Sequence, residues 1–339
     1  MSKIFKVNDW DVMFRSFSTV VMMLFLIVAG PLLTACSGSN GENSALEKAD
    51  TKAVSEVTLD KRLGAEDIPD EVYGDAPTFN APRLQFVVIL KESGLQEIWS
   101  SRLDGTDVRR VVSAELVNSP VRGSINRPPV RSPDNRHIVY SLATEDGIKK
   151  QLIDLKEKQV EVFAVGGGIP SFQWTPDSGN IIFALVGGEY NDRVQYSLDT
   201  KIITKKKHMK NSGGVYLIPH KMHFIAMTYK GFAEYDFDGK LIREVKLAER
   251  IQTFPFYDVS RNGELVFYGD KRGSHLIRTA DPKHVLATVK YSECLIHPSG
   301  IELLCLKSGN LISIDINAKQ ESKLLDLKPM ILFMSIYNG

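Results

Sequence analysis

A single short hairpin recurs along this chain at near-constant intervals, and no other feature narrows its fold as much. The turns read "SPDN" from Ser132, "TPDSG" from Thr175, "IPHK" from Ile218, "SRNG" from Ser260 and "HPSG" from His297, at intervals of 43, 43, 42 and 37 residues. Proline at the second position and glycine at the fourth suit a type I turn, because proline presets φ there. After each turn comes a run such as "HIVYSL", "NIIFALV", "HFIAMTY", "ELVFYG" or "IELLCL". A strand with one wet face alternates; these runs do not, so both of their faces are covered. A glycine-containing turn follows in every unit, then a third strand that closes on a polar turn ("VQYSLDTK", "FAEYDFDGK") and a more polar fourth strand ("VEVFAV", "IREVKL").

Four antiparallel strands in about 40–45 residues, covered on both faces, are the repeat of a β-propeller. A sixth unit lies upstream, from Arg83 to Val112, but it begins at its second strand. The chain ends with a surplus strand, "ILFMSIY", Ile331 to Tyr337. Placing that strand in the incomplete unit closes the ring and removes two sheet edges. The expected fold class is therefore all-β, a six-bladed propeller of four-stranded antiparallel blades whose first blade is completed by the C-terminal strand.

These residues resemble the TolB-like propeller family, whose blades carry a "W-S-P-D-G-x-x-I-A-F" hairpin followed by "I-Y-x-x-D-x-D-G". "QWTPDSGNIIFA", Gln173 to Ala184, and "EIWSSRLDGTDVRRV", Glu97 to Val111, match it best. The resemblance spans Arg83 to Tyr337 and is specific for fold, while propellers serve many functions. TolB itself has an α/β domain before its propeller, and here a polar stretch takes that place, so membership of the Tol–Pal system is not carried over.

The start of the chain is different in kind. "TVVMMLFLIVAGPLLTA", Thr19 to Ala35, is uncharged, follows Arg15 and is ended by Cys36. A charged n-region, an apolar h-region and small residues before a cut make an export signal; a membrane span needs about 20 apolar residues and no interrupting Pro31. Leu33, Thr34, Ala35 and Cys36 resemble the lipobox of bacterial lipoproteins. In that family the Cys sulfur is diacylated, the signal is cut before it, and the new amino terminus is acylated. The chemistry fits the residue types: the peptidase needs small side chains at Thr34 and Ala35, and only a thiol forms the thioether. An uncleaved anchor helix with an incidental cysteine is the alternative. A start at Met13 leaves a more compact n-region than a start at Met1. Ser37 is not the Asp that holds Gram-negative lipoproteins in the inner membrane, so in a Gram-negative host the resemblance implies sorting to the outer membrane; the periplasmic side is the expected one, with the cell surface as the alternative.

Three segments are thus expected: a lipoprotein signal peptide over 1–35, a flexible polar tether over 36–82, and the propeller over 83–339. The tether is rich in Gly, Ser, Glu and Asp with few aromatics, and buries too little to fold alone. After residue 35 the chain has thirty-nine basic and thirty-nine acidic residues. A protein that tracks nucleic-acid phosphates carries a basic excess, so no nucleic-acid partner is expected. The expected partners are the membrane, through acyl chains on Cys36, and an envelope protein or glycan.

Candidate chemistry is sparse. Asp134 and Asp177 sit where blades converge on a channel mouth, but the turn itself favours Asp, and later blades put His220, Asn262 and Ser299 there. His220 and His223, three apart on a strand, face opposite sides, so no metal or other cofactor is expected. No Gly-x-Ser-x-Gly elbow is present, which removes a serine peptidase. Cys294 and Cys305 fall diagonally if "HPSG" is a tight turn, so a disulfide needs a bulge and two buried thiols fit as well. "KKKH", Lys205 to His208, reads as a solvated edge strand. The insertion "SAELVNSPVRGSINRPP", Ser113 to Pro129, is the first choice for a partner-binding loop, represented by Ser113, Arg122 and Asn126. The function expected is non-catalytic binding of a protein or glycan; an envelope lyase or hydrolase working in the channel is the alternative.

Overall fold

A computed structural model of the chain describes residues 63–71, 73, 81–166, 171–185, 190–210, 215–228, 230–247, 258–270 and 273–338. The lipobox residues Leu33, Thr34, Ala35 and Cys36 lie outside them. Blade 1 opens with β1 (Pro82–Ile89), β2 (Gln96–Arg102) and β3 (Arg109–Val112). A short helix, α1 (Ala114–Val117), leads to blade 2: β4 (Ser124–Ile125), β5 (Val130–Arg131), β6 (His137–Thr144), β7 (Gly147–Asp154) and β8 (Gln159–Val165). Blade 3 holds β9 (Phe172–Trp174), β10 (Asn180–Leu185), β11 (Tyr190–Ser197) and β12 (Ile203–Lys210). Blade 4 holds β13 (Val215–Ile218), β14 (His223–Thr228), β15 (Gly231–Asp236) and β16 (Leu241–Lys246). Blade 5 holds β17 (Asp258–Val259), β18 (Leu265–Asp270), β19 (Gly273–Arg278) and β20 (Val285–Val289). Blade 6 holds β21 (Cys294–Ile296), β22 (Glu302–Lys307), β23 (Asn310–Asp315) and β24 (Glu321–Leu325). The last strand, β25 (Met330–Asn338), pairs antiparallel with β1, from Pro82 opposite Asn338 to Ile89 opposite Met330, and so supplies the inner strand of blade 1.

Hydrophobic burial explains this arrangement. Six apolar clusters fill the six seams between neighbouring blades. Each second strand has blades packed on both faces, hence its unbroken apolar run; β14 and β18, for example, are buried along most of their length.

The recurrent hairpin turn is wider than a two-residue bend. Ser132 pairs with His137, Thr175 with Asn180, Ser260 with Leu265 and His297 with Glu302, through backbone bonds of 2.8–3.0 Å. The first turn residue holds the bend: His137, Asn180 and Leu265 donate their amides to Ser132 Oγ, Thr175 Oγ1 and Ser260 Oγ at 2.8, 3.0 and 2.8 Å. Asp134, Asp177 and Asn262 accept from those same hydroxyls, which is the local hydrogen-bonding role that favours Asx residues in turns. In blade 6 the four bend residues shift the register by two from a tight turn. Cys294 therefore stands directly opposite Cys305, and the two are joined as a disulfide with Cα atoms 4.0 Å apart, with no bulge.

Part of the polar stretch ahead of the propeller is folded onto it. Lys328 donates its amide to the Leu63 carbonyl at 2.9 Å, and Ile68 is buried in the cluster between blades 6 and 1. Arg110 donates to the Pro69 carbonyl at 2.9 Å and accepts from the Glu71 amide at 2.7 Å, so residues 69–71 cap the exposed edge of β3. Composition gave no sign of this because two apolar side chains and one free strand edge suffice to hold the segment.

The insertion is ordered as well. Ile125 and Gln96 exchange two hydrogen bonds, Tyr140 donates to the Val117 carbonyl at 3.1 Å, and β4 and β5 both pair with β6. "KKKH" lies on β12, the outer strand of blade 3.

Candidate functional site

The inner strands enclose a channel of about 1080 Å³ to which all six blades contribute. One position of the repeat faces it in five blades: the residue two before the hairpin turn, which is Val130, Gln173, Tyr216, Asp258 and Leu295 in turn. Each is half-buried while its strand neighbours pack into the seams. Period-two alternation forces this, since an inner strand has the channel on one side only of its pleat. Phe333 and Ser335 of β25 add the contribution of blade 1. The ring therefore combines two aliphatic groups, an amide, a phenol and one carboxylic acid.

The acid is tied into the frame. Asp258 Oδ2 accepts the Ile296 amide at 2.8 Å, so blade 5 holds the inner strand of blade 6. Burial pushes its carboxyl up to about 6, against the pull of the Ile296 and Val259 amides. Trp174 makes a similar latch, donating Nε1 to the Val130 carbonyl at 3.0 Å between blades 3 and 2. Glu293, half-buried at the channel, also has its pKa raised by desolvation.

A buried ionic cluster stands at the seam of blades 1 and 2. Arg131 Nη2 meets Glu71 Oε1 at 2.5 Å, with both side chains almost without exposure at 2% and 3%. Arg131 also donates to Tyr337 Oη at 3.1 Å and the Asn135 carbonyl at 3.2 Å, and lies 4.8 Å from the Tyr337 ring centre. Ser100 Oγ donates to the other Glu71 oxygen at 3.0 Å. The counter-charge of an inner-strand arginine thus comes from outside the repeat.

Six antiparallel blades, with β25 in the first of them, decide the likeness. The chain has a TolB-like propeller fold. A solved structure of TolB from Acinetobacter baumannii superposes with a TM-score of 0.53 at 16% identity, over 76% of this chain and 67% of that one. A chain of the nidogen/laminin complex gives 0.55 at 10% identity, over 76% and 98%. No family model and no curated protein sequence matches the chain. At these identities the likeness concerns the fold alone.

Within this TolB-like propeller the expected site residues are dispersed. Ser113 precedes α1, Arg122 is exposed, and Asn126 is bound into blade 2, where Oδ1 accepts from Ser141 Oγ at 2.6 Å. His223 Nδ1 lies 3.1 Å from Glu234 Oε1, while His220 stands at the channel mouth on the adjoining turn. Among the described residues no group of three His, Cys, Asp or Glu is placed to hold a metal ion. The channel ring was legible in the repeat alignment at a fixed offset from the turn. The Glu71–Arg131 pair was not, since nothing local links the two residues.

Proposed function

We propose that this chain is a lipid-anchored protein of the bacterial envelope that binds a protein or glycan partner through a face of its propeller, without catalysis. One observation carries the reading: the ring of repeat positions is chemically mixed, and the one carboxyl in it, Asp258, is engaged by the backbone of the next blade, while Glu264 and Glu293 lie elsewhere on the lining. A wall of that kind suits contact and shape selection better than paired acid and base work. The lipobox at Leu33 to Cys36 supports membrane attachment at Cys36, with Ser37 favouring the outer membrane. The Cys294–Cys305 disulfide suits an oxidising compartment such as the periplasm. Ser113, Arg122 and Asn126 remain the proposed contacts from the insertion.

The test is crosslinking in intact cells with mass spectrometry of what co-purifies, comparing the natural chain with Cys36→Ala. One dominant protein captured only with the anchor intact is the expected result. Loss of acyl groups from the mature amino terminus refutes the anchoring, and capture that ignores the anchor refutes its role in partner choice.

A second reading is favoured by Glu293, a channel-lining carboxyl whose pKa is raised by burial. Such a group can serve as a general acid on a carbohydrate or peptide held in the channel. If the natural chain degrades an envelope glycan and Glu293→Gln does not, the enzyme reading replaces the first.

A further inference from the structure

Three of the six blades begin their outer strand with an apolar residue in solvent. Ile203 of β12, Leu241 of β16 and Val285 of β20 are 42%, 51% and 38% exposed, and the adjoining Ile202 and Ile242 are 59% and 46% exposed. The fold does not demand this: the same position is Arg109 in β3, Gln159 in β8 and Glu321 in β24. At this strand-opening position the apolar residues belong to consecutive blades 3, 4 and 5; Val165, 65% exposed, closes the outer strand of the adjoining blade 2, whereas residues 63–71 lie on blades 6 and 1.

Each of these positions follows a lysine by one or two residues, namely Lys201, Lys240 and Lys283, all exposed. Along β12 the charge continues with Lys205, Lys206, Lys207 and Lys210, and no acidic residue occurs from Thr200 to Lys210. In a chain whose basic and acidic residues balance overall, this edge is a local positive stretch of sequence beside exposed aliphatic side chains, with Lys201 Nζ paired to Glu161 Oε2 at 2.7 Å.

Outer strands form the convex perimeter of a propeller. Single aliphatic side chains spaced along a convex edge offer no pocket and no aromatic centre, the features that concentrate protein–protein binding energy. They do match the boundary of an anionic bilayer, where short apolar groups enter the acyl region and lysine stems extend to bring ammonium groups to the phosphates. We propose that the outer edge of blades 3–5 rests on anionic lipid headgroups of the membrane that carries the Cys36 anchor. This inference rests on the anchoring reading: between Cys36 and Leu63 the chain reaches at most about 97 Å, at about 3.3–3.6 Å per residue, which confines the ring to the neighbourhood of the bilayer. Edge contact would turn a domain tethered at random angles into one held upright, with its channel parallel to the membrane surface.

The experiment uses the full acylated protein reconstituted in vesicles. An environment-sensitive dye is placed at Ile242→Cys, with Leu95→Cys on blade 1, 44% exposed, as the control. The disulfide occupies Cys294 and Cys305, and acylation occupies Cys36, so the new thiol alone is labelled. In vesicles rich in phosphatidylglycerol, brominated acyl chains should quench the dye at Ile242 and not at Leu95. Phosphatidylcholine vesicles or high salt should abolish the difference. Lys240→Glu with Lys283→Glu should weaken the contact by about fivefold for each lysine removed, from about 1 kcal/mol per basic residue near an anionic surface. Equal quenching at Ile242 and Leu95, or no preference for the anionic lipid, overturns the proposal. If intact mass shows no acyl groups, the anchoring reading falls. The labelled protein added from solution then still decides the edge, by cosedimenting with phosphatidylglycerol vesicles or failing to.

Discussion

Removing the carboxylate of Glu71 tests whether residues 63–71 belong to the folded domain. Among the described residues this carboxylate is the only acidic group bonded to Arg131, whose side chain is 2% exposed. Tyr337 Oη and the Asn135 carbonyl would still accept from the guanidinium in Glu71→Ala, but its charge would be left buried without a partner. Breaking a buried pair from one side costs about 3–5 kcal/mol, far more than breaking a solvent-screened pair such as Lys328–Glu66. The molecule has one way to lower that cost, which is to release the segment and let water reach Arg131. Urea unfolding of the natural chain, Glu71→Ala, Arg131→Met and the double variant measures the coupling. Hydrogen exchange over 63–70 separates the two responses. A global loss of about 3 kcal/mol with protection retained means the segment stays docked; a smaller loss with rapid exchange means it lets go. A change under about 0.5 kcal/mol with exchange unaltered would refute the buried ion pair.

Other outcomes follow from the same geometry. Asp258 has a raised folded pKa, so its ionisation opposes folding: stability should rise as pH falls from about 6 towards the ordinary carboxylate range, by up to about 3 kcal/mol for a shift of about two pH units. Asp258→Asn keeps an acceptor for the Ile296 amide and should flatten that part of the stability-against-pH curve; an unchanged curve removes Asp258 as its cause. Opening the Cys294–Cys305 bridge should cost about 3 kcal/mol or less for so short a loop, seen as a lower Tm in reductant that is absent from the Cys294→Ala, Cys305→Ala variant. Gly231 has φ +151°, and a Cβ there would sit 2.0 Å from the Val245 carbonyl oxygen, so Gly231→Ala should lose well over about 1 kcal/mol in urea unfolding. A variant as stable as the natural chain would mean that the turn after β14 can shift.

The fold was legible because its determinants are local and repeated. Pro133, Pro176 and Pro298 mark bends, and the runs after them must be covered on both faces, which leaves few architectures besides a ring of blades. The closing strand followed from a deficit at Arg83 and a surplus at Ile331, an inference about edges rather than about either segment. The register of the hairpins was less accessible. "HPSG" looks like a tight turn, yet the chain passes through Ile301 before pairing resumes at Glu302, and that difference of two residues decides whether Cys294 meets Cys305. Least visible were the contacts between distant segments. Glu71 is one acid in a polar stretch, and Asp258 resembles a channel acid until the Ile296 amide of the next blade is seen against it.

The composite first blade also sets an order of events for a chain synthesised from its amino terminus. β1 to β3 arrive early, but their inner partner β25 arrives after every other strand. Until then blade 1 offers an unpaired edge at the channel, and the ring stays open to any extended segment nearby, including a second copy of the same chain. Maturation is therefore gated by the last nine-residue strand, Met330–Asn338, and factors that shield unfinished β-edges would act on this protein during that interval.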